Sequence, residues 1–128
     1  MSLTIAQLAK GAGVGVETIR YYQRRGLLAV PEREAGSIRR YGQDDAARLG
    51  FIRSAQRAGF TLSQIAELIA LDSTADRARA RDMARERIAA LDAEIAALKA
   101  SRASLERLAR DCADGPAGPC PILTAFEV

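Results

Sequence analysis

Apolar residues recur at helical spacing in two short segments near the start of the chain, and glycines separate them. The segments are residues 4–10 and 16–22, with Gly13 and Gly15 between them and Thr4 placed to cap the first. Their apolar positions are Ile5, Leu8, Ala9, Val16, Ile19 and Tyr22. Two short helices joined by a glycine-containing turn predict a helix-turn-helix, whose second helix can enter the major groove of DNA.

A turn and a short alternating stretch follow the second helix. Gly26 ends that helix, Pro31 prevents its return, and residues 36–41 alternate like a β segment after a turn glycine. This predicts a small hairpin, or wing, in which Arg39 and Arg40 bind phosphates beside the groove, because guanidinium groups fit phosphate oxygens bidentately. The alternative is that the two arginines only keep an exposed turn soluble. The basic residues of the second helix weaken this alternative, because they place further positive charge beside the wing.

Two more helical patterns follow the wing. Residues 44–58 carry one pattern, closed by Gly59, and Thr61 opens the other. Their apolar positions are Ala47, Leu49, Phe51, Ile52, Ala55, Leu62, Ile65, Leu68 and Ile69. We expect this second pair of helices to pack against the first and to supply a phosphate contact or two.

From about residue 76 the composition shifts to alanine, arginine, glutamate and leucine, and the apolar positions advance by alternating steps of four and three. These positions are Ala84, Ile88, Leu91, Ile95, Leu98, Leu105 and Ala109, with Arg102 as the one departure. This heptad pattern predicts a helix of about thirty residues that buries one stripe against another helix. Because the chain has no second helix of that length, we expect an obligate homodimer with antiparallel or crossed helices; a solitary solvated helix is the alternative.

Composition and charge limit the function classes. The chain has 128 residues, a net charge of +3 and 48% apolar residues, but many of these are alanine and six residues are aromatic. One domain with an appendage is therefore expected, with part of its burial supplied by a partner chain. No segment approaches the roughly 20 apolar residues of a membrane span, so a cytoplasmic protein that does not enter the membrane is expected. Histidine is absent, which excludes imidazole chemistry, and nothing else suggests an enzyme.

Two cysteines lie near the end of the chain, with seven residues between them. In a reducing compartment, Cys112 and Cys120 indicate a redox or metal site more than a structural disulfide. Two linearly arranged thiolates suit Cu(I), Ag(I), Au(I) or Hg(II), whereas Zn(II) requires four ligands. The intervening glycines and prolines favour a turn that brings the sulfurs within about 4 to 5 Å of each other. We expect Ile122, Leu123 and Phe126 to cover the site or to pack on the long helix; an incidental cysteine pair is the remaining alternative.

Three stretches carry a resemblance to a known family. They are residues 16–28 (VETIRYYQRRGLL), 36–42 (GSIRRYG) and 54–62 (SAQRAGFTL), and the terminal CPIL of residues 120–123 also matches. The chain resembles the MerR family of transcription regulators and is most similar to its mercuric-ion branch. The resemblance implies a winged helix-turn-helix, an antiparallel coiled-coil dimer and a metal site between one long helix and the other subunit. It also implies promoter DNA and RNA polymerase as partners, with promoter distortion activating a metal resistance or efflux operon.

The resemblance and the residue patterns together assign the candidate site residues. The predicted DNA-binding residues are Thr18, Arg20, Tyr21, Arg39, Arg40 and Tyr41. The predicted metal ligands are Cys112 and Cys120. Mercuric regulators place a third cysteine where this chain has Arg77, whereas the copper, silver and gold sensors lack it and share the seven-residue gap. Arg77 and Arg81 of the partner subunit are candidate counter-charges for an anionic bis-thiolate complex.

The predicted organisation is a mainly α chain with a DNA-binding domain at 1–72, a dimerisation helix at 73–111 and a metal-binding loop with its cover at 112–128. Two other functions stay open at this point. One is a redox- or drug-responsive regulator of the same fold, with the cysteines forming a disulfide in the redox case. The other is a DNA-binding antagonist that senses nothing. An iron–sulfur sensor is not expected, because two cysteines per chain are too few for the usual four-thiolate cluster.

Overall fold

Six α-helices account for most of the described chain, which in this computed structural model comprises residues 2–33, 36–115 and 118–125. The helices are α1 (Ile5–Ala12), α2 (Val16–Arg24), α3 (Gln43–Arg57), α4 (Leu62–Asp72), α5 (Arg77–Asp114) and α6 (Pro121–Ala125). The prediction of a mainly helical fold with a helix-turn-helix and one long helix is confirmed. The chain divides into two compact units, Met1–Met83 and Ala84–Val128.

Helices α1 and α4 begin in the same way. In each, a threonine hydroxyl accepts the backbone N–H three residues later at 3.2 Å, and the glutamine there accepts the threonine N–H at 2.9 Å. The residues are Thr4 with Gln7 and Thr61 with Gln64. Such a cap stabilises a helix by about 0.5–2 kcal/mol, so the local sequence fixes both starts. The turn between α1 and α2 passes through Gly13, whose φ of 70° favours glycine.

The core of the first unit joins α1 to α2 and to α3, and α3 to α4. Its buried residues are Leu8, Ala9, Ile19, Tyr22, Leu27, Leu28, Tyr41, Leu49, Ile52, Ala55 and Ile65. Most of the apolar positions expected to face inward do so. Phe51 was also expected to face inward, but 43% of its surface is exposed. It lines a groove of about 810 Å³ between α3, α4 and the first turn of α5.

The wing segment pairs differently from the predicted hairpin. Tyr41 forms an antiparallel bridge with Leu3, and the two residues exchange backbone N–H···O bonds of 2.8 Å. Within the described residues this bridge is the only β pairing. A proline in the preceding segment, Pro31, has no N–H to donate to a ladder, and the extended N-terminus supplies the donor and acceptor instead.

The second unit consists of most of α5 together with α6. Four large apolar side chains of the predicted heptad stripe are exposed in the single chain: Ile88 (55%), Ile95 (49%), Leu98 (69%) and Leu105 (47%). Arg102, the departure from the stripe, lies 3.8 Å from Glu106 on its own helix. Among the helices that the structure describes, none is long and apolar enough to cross a membrane.

Candidate functional site

The inner face of α2 packs into the core, so the side chains on its opposite face are exposed. Ile19 is fully buried, Tyr22 is 2% exposed, and the Tyr22 hydroxyl donates to Gln56 Oε1 on α3 at 2.5 Å. Arg20 and Tyr21, two of the predicted DNA-binding residues, are exposed as a result. The predicted contact Thr18 is half-buried on the same helix. The packing therefore presents Arg20 and Tyr21 at the surface.

A cluster of cations surrounds Tyr21. The guanidinium carbons of Arg24 and Arg25 lie 5.9 and 5.7 Å from the ring centroid, and Arg25 Nη1 donates to the Tyr21 hydroxyl at 3.0 Å. Arg20 pairs with Glu17 at 3.2 Å, and both side chains are largely exposed. Residues 1–42 carry seven basic and three acidic side chains, a net charge of +4, against −1 for the remainder of the chain. The net positive charge of the chain thus lies in its first 42 residues, which include α2 and the arginines of the wing.

Gln23 connects α2 to the wing, a role that the sequence patterns did not reveal. Its Nε2 donates to the Ala29 carbonyl at 3.2 Å and to the Tyr41 hydroxyl at 3.0 Å. Tyr41, predicted to contact DNA, is only 2% exposed. The structure therefore places Tyr41 in the core, where its ring supports the wing, because the backbone pairing with Leu3 turns it inward.

A shallow groove of about 270 Å³ collects arginines from α2 and the wing. Arg20 and Arg39 line it, and so does Arg33, which was not among the predicted DNA-binding residues. Arg40, the neighbour of Arg39, is exposed. Guanidinium groups converging on one groove can bind phosphate oxygens bidentately. Arg33 could have been proposed from its charge, but nothing in the sequence indicated that it joins Arg20.

The two cysteines form a second candidate site. Cys112 lies in the last turn of α5 and is exposed, and Cys120 immediately precedes α6 and is partly buried. Their Sγ atoms are 3.1 Å apart, close enough for one thiol to donate a hydrogen bond to the other. The structure therefore brings together the two residues that the sequence proposed as ligands.

Hydrogen bonds polarise this thiol pair. The thiol of Cys112 and the backbone N–H groups of Leu123 and Ile122 lower the pKa of Cys120. The same contact with Cys120 raises the pKa of Cys112. Cys120 is thus the sulfur that carries negative charge first, with the proton retained on Cys112.

The backbone on both sides of the cysteines is locally determined. A Cβ on Gly115 would lie 2.8 Å from the Asp111 carbonyl oxygen, so the chain leaves α5 where only glycine fits. Pro121 begins α6, a position that suits proline. Of the expected apolar cover, Ile122 is half-buried and Leu123 is 71% exposed. Phe126 lies outside the described residues.

No group of three or more cysteine, aspartate or glutamate side chains is arranged to hold a metal ion within the described ranges. A pair of thiolates alone has the ligand number of linear two-coordinate ions. Arg77 lines the groove beside α3 and α4, and Arg81 is exposed. The intervening Arg79 forms a bidentate pair with Glu67, with Nε at 2.5 Å and Nη2 at 3.2 Å from the two carboxylate oxygens.

Comparisons with known proteins identify families and relatives that this chain resembles over most of its length. Residues 3–71 match the family described as "MerR HTH family regulatory protein", and residues 46–108 match "MerR, DNA binding". The mercuric resistance operon regulatory protein of Pseudomonas fluorescens is 42% identical over 127 residues, covering 98% of this chain and 88% of the relative.

Two solved structures are also similar. The transcription regulator PbrR691 from Ralstonia metallidurans CH34, in complex with lead(II), has a TM-score of 0.73 at 29% identity and covers 98% of this chain and 99% of its own. HiNmlR, a MerR family regulator lacking the sensor domain and bound to promoter DNA, has a TM-score of 0.54 at 25% identity. That match covers 84% of this chain and 77% of the neighbour.

Proposed function

The chain belongs to the MerR family of helix-turn-helix regulators, and from that premise we propose that it is a metal-responsive transcription activator controlled by a soft ion at Cys112 and Cys120. Its relatives are transcription regulators and not enzymes, in agreement with the expectation from composition. The observation that carries the proposal is the 3.1 Å separation of two thiol sulfurs at the end of the long helix.

Promoter DNA is the proposed partner of the first unit. The exposed face of α2, with Arg20 and Tyr21, would enter the major groove, and Arg39 and Arg40 would bind flanking phosphates. Arg33 joins this proposal because it shares a groove with Arg20. Phosphate contacts give affinity and register, while the side chains of α2 that reach base edges give sequence preference.

The proposed effector is a thiophilic ion held by two sulfurs, either monovalent Cu(I), Ag(I) or Au(I), or divalent Hg(II). A linear bis-thiolate complex requires no third protein ligand, and the described residues offer none. The mercuric-resistance and lead-bound relatives support a soft ion in general terms.

The residues at the start of α5 favour a monovalent ion. Two thiolates around a monovalent ion carry one net negative charge, whereas the Hg(II) complex is neutral. Arg77 and Arg81 of the partner subunit would offset that charge. The groove beside Arg77 also contains carboxylates, among them Asp72 and Asp76, so the local charge is mixed.

A homodimer is proposed from the stripe on α5. Ile88, Ile95, Leu98 and Leu105 are each about half exposed or more in the single chain and follow heptad spacing. Burying such a stripe against its own copy would remove this apolar surface from water and would generate the two-fold symmetry of a palindromic operator.

The proposed mechanism is promoter distortion that lets RNA polymerase engage both of its recognition elements. The family resemblance implies promoters with an overlong spacer between these elements, which bending and undertwisting bring into register. Distorting a site of this length costs on the order of 1 to 6 kcal/mol. A metal that binds one conformer of the dimer more tightly than the other can supply this energy.

Transcription in vitro from the chain's own promoter, with Ag(I), Cu(I) and Hg(II) added separately, tests the proposal. We expect activation by at least one of these ions, and its loss in either Cys112→Ser or Cys120→Ser, while operator affinity stays at the wild-type value. A normal response in Cys120→Ser would exclude the two-thiolate site. Comparing Ag(I) with Hg(II) on Arg77→Cys would test whether a third thiolate changes the preferred ion.

A further inference from the structure

The sulfur separation in the thiol pair lies between the distances of two different chemical states. Linear coordination at a metal–sulfur distance of about 2.3 Å would place the sulfurs about 4.6 Å apart. A disulfide would place them about 2.05 Å apart. Since the observed Sγ–Sγ distance is 3.1 Å, the sulfurs must separate by about 1.5 Å to admit the ion but approach by only about 1 Å to bond to each other.

Access and composition both favour bonding within one chain. Cys112 is exposed, so a small molecule can reach its sulfur, and the partly buried Cys120 sulfur is then the nearest nucleophile. The chain has no other cysteine. An intrachain disulfide would therefore compete only with bonds to a second molecule.

We propose that the thiol pair is also a redox switch, in which a low-molecular-weight disulfide oxidises Cys112 and Cys120 to an intrachain disulfide and thereby closes the metal site. This inference rests on the proposed function, because it adds a second regulation to the same two sulfurs. It differs from a purely redox-responsive regulator, since the reduced pair remains the metal receptor and the disulfide is its inactive form.

The chemistry balances as a thiol–disulfide exchange in two steps. The exposed Cys112 passes its proton to the Cys120 sulfur, 3.1 Å away. As a thiolate it then attacks one sulfur of the small disulfide, which forms a mixed disulfide and releases the first small thiolate. The Cys120 thiolate then attacks Cys112 Sγ, which forms the intrachain bond and releases the second. Two cysteine thiols are oxidised, one small disulfide is reduced to two thiols, and the two cysteine protons pass to the released thiolates.

The two states exclude each other, because a sulfur in a disulfide has lost the thiolate that binds the metal. Oxidation should therefore prevent metal capture, and a bound ion should protect both cysteines from oxidation. The regulator would respond to a metal only when the surrounding thiol pool is reduced.

The test equilibrates the full-length dimer with mixtures of oxidised and reduced glutathione, followed by counting of free thiols and intact-mass measurement under non-reducing conditions. We expect both thiols to disappear with the loss of two hydrogen atoms and without a retained glutathione. Ag(I)-dependent transcription should be lost in the oxidised protein and restored by dithiothreitol, with operator affinity unchanged. Prior loading with Ag(I) should keep both thiols unoxidised. In Cys120→Ser the reaction should stop at one glutathione on Cys112.

Three results would overturn the switch: both thiols staying free in excess oxidised glutathione, a disulfide that joins two chains, or an oxidised protein that still responds to Ag(I). Failure of the metal function is measured separately. Reduced protein that ignores Ag(I), Cu(I) and Hg(II) overturns the proposed function whatever the thiol count. A normal Ag(I) response combined with oxidation-resistant thiols overturns the redox switch alone.

Discussion

Replacing Leu98 by alanine should weaken the proposed dimer strongly. In the single chain 69% of Leu98 is exposed, and fully burying a leucine side chain contributes about 1.5–3 kcal/mol. Burial of the exposed share is therefore worth about 1–2 kcal/mol per protomer, or about 2–4 kcal/mol in a symmetric dimer. Because alanine keeps only Cβ, most of this is lost, and the dimer dissociation constant should rise about 30- to 700-fold.

The remainder of the stripe determines whether one truncation can be detected. Applied to the exposed fractions of Ile88, Ile95, Leu98 and Leu105, the same reasoning gives on the order of 7–13 kcal/mol per dimer. Association itself costs about 4–15 kcal/mol in lost freedom of motion. Because the two ranges are of similar size, the net free energy that this stripe contributes to dimerisation is small, and losing one leucine should move dissociation into a measurable concentration range.

Sedimentation equilibrium across a concentration series measures the effect, and circular dichroism checks that α5 stays helical. Glu86→Ala is the matched control, since the heptad register places Glu86 on the opposite face of the helix and alanine does not weaken the helix there. Gel-shift assays on a palindromic operator should show Leu98→Ala losing affinity in parallel with dimerisation. Wild-type dimerisation of Leu98→Ala, or equal weakening by Glu86→Ala, would refute the assignment of this stripe to the interface.

Four further outcomes are expected. Arg39→Ala and Arg40→Ala should each weaken operator binding and flatten the slope of log affinity against log salt by about one unit; fluorescence anisotropy at several salt concentrations measures this, and unchanged values in both variants would remove the wing from the interface. Gly115→Ala should weaken Ag(I) binding with helix content retained, because the added Cβ would lie 2.8 Å from a backbone oxygen; wild-type affinity in a competition titration would contradict this reasoning. The hydrogen bond from Arg79 lowers the pKa of Glu67, so the pair stabilises the fold above the ordinary glutamate pKa of about 4.3 and loses this effect as the pH falls through the lowered value. Glu67→Gln should therefore reduce the loss of folding stability on acidification. Denaturant titrations at several pH values measure this, and an unchanged pH profile would count against the pair. On a promoter whose spacer is shortened by two base pairs, metal dependence of transcription in vitro should vanish, whereas unchanged activation would indicate recruitment of polymerase instead of DNA distortion.

The elements that the sequence predicted well are those set by local periodicity. Ile19 and Tyr22 were assigned to the inner face of α2 from their spacing alone, and both are buried. The stripe on α5 was likewise visible as steps of four and three. These patterns depend on residues a few positions apart, which a helix brings together without help from the remainder of the fold.

The features that the sequence did not reveal depend on distant backbone or on side-chain rotamers. Tyr41 pairs with Leu3, a residue far away in the sequence, and a single β bridge leaves no periodic trace. Gln23 contacts the wing through one amide group, and nothing in its spacing indicates this. At the thiol site, the spacing of Cys112 and Cys120 predicted proximity, but not the short helix that places N–H groups beside Cys120.

The packing of Tyr22 makes the inner face of α2 intolerant of substitution, whereas the exposed face of the same helix can change. Its ring and its hydrogen bond to Gln56 fix the inner face, where truncating a large aromatic residue costs about 3–5 kcal/mol. Substitutions of exposed residues such as Arg20 usually change stability by less than about 0.5 kcal/mol. After gene duplication, two copies could therefore acquire different operators through a few outward substitutions. Each copy would keep the same scaffold, and the ion preference proposed for its cysteine pair could change separately.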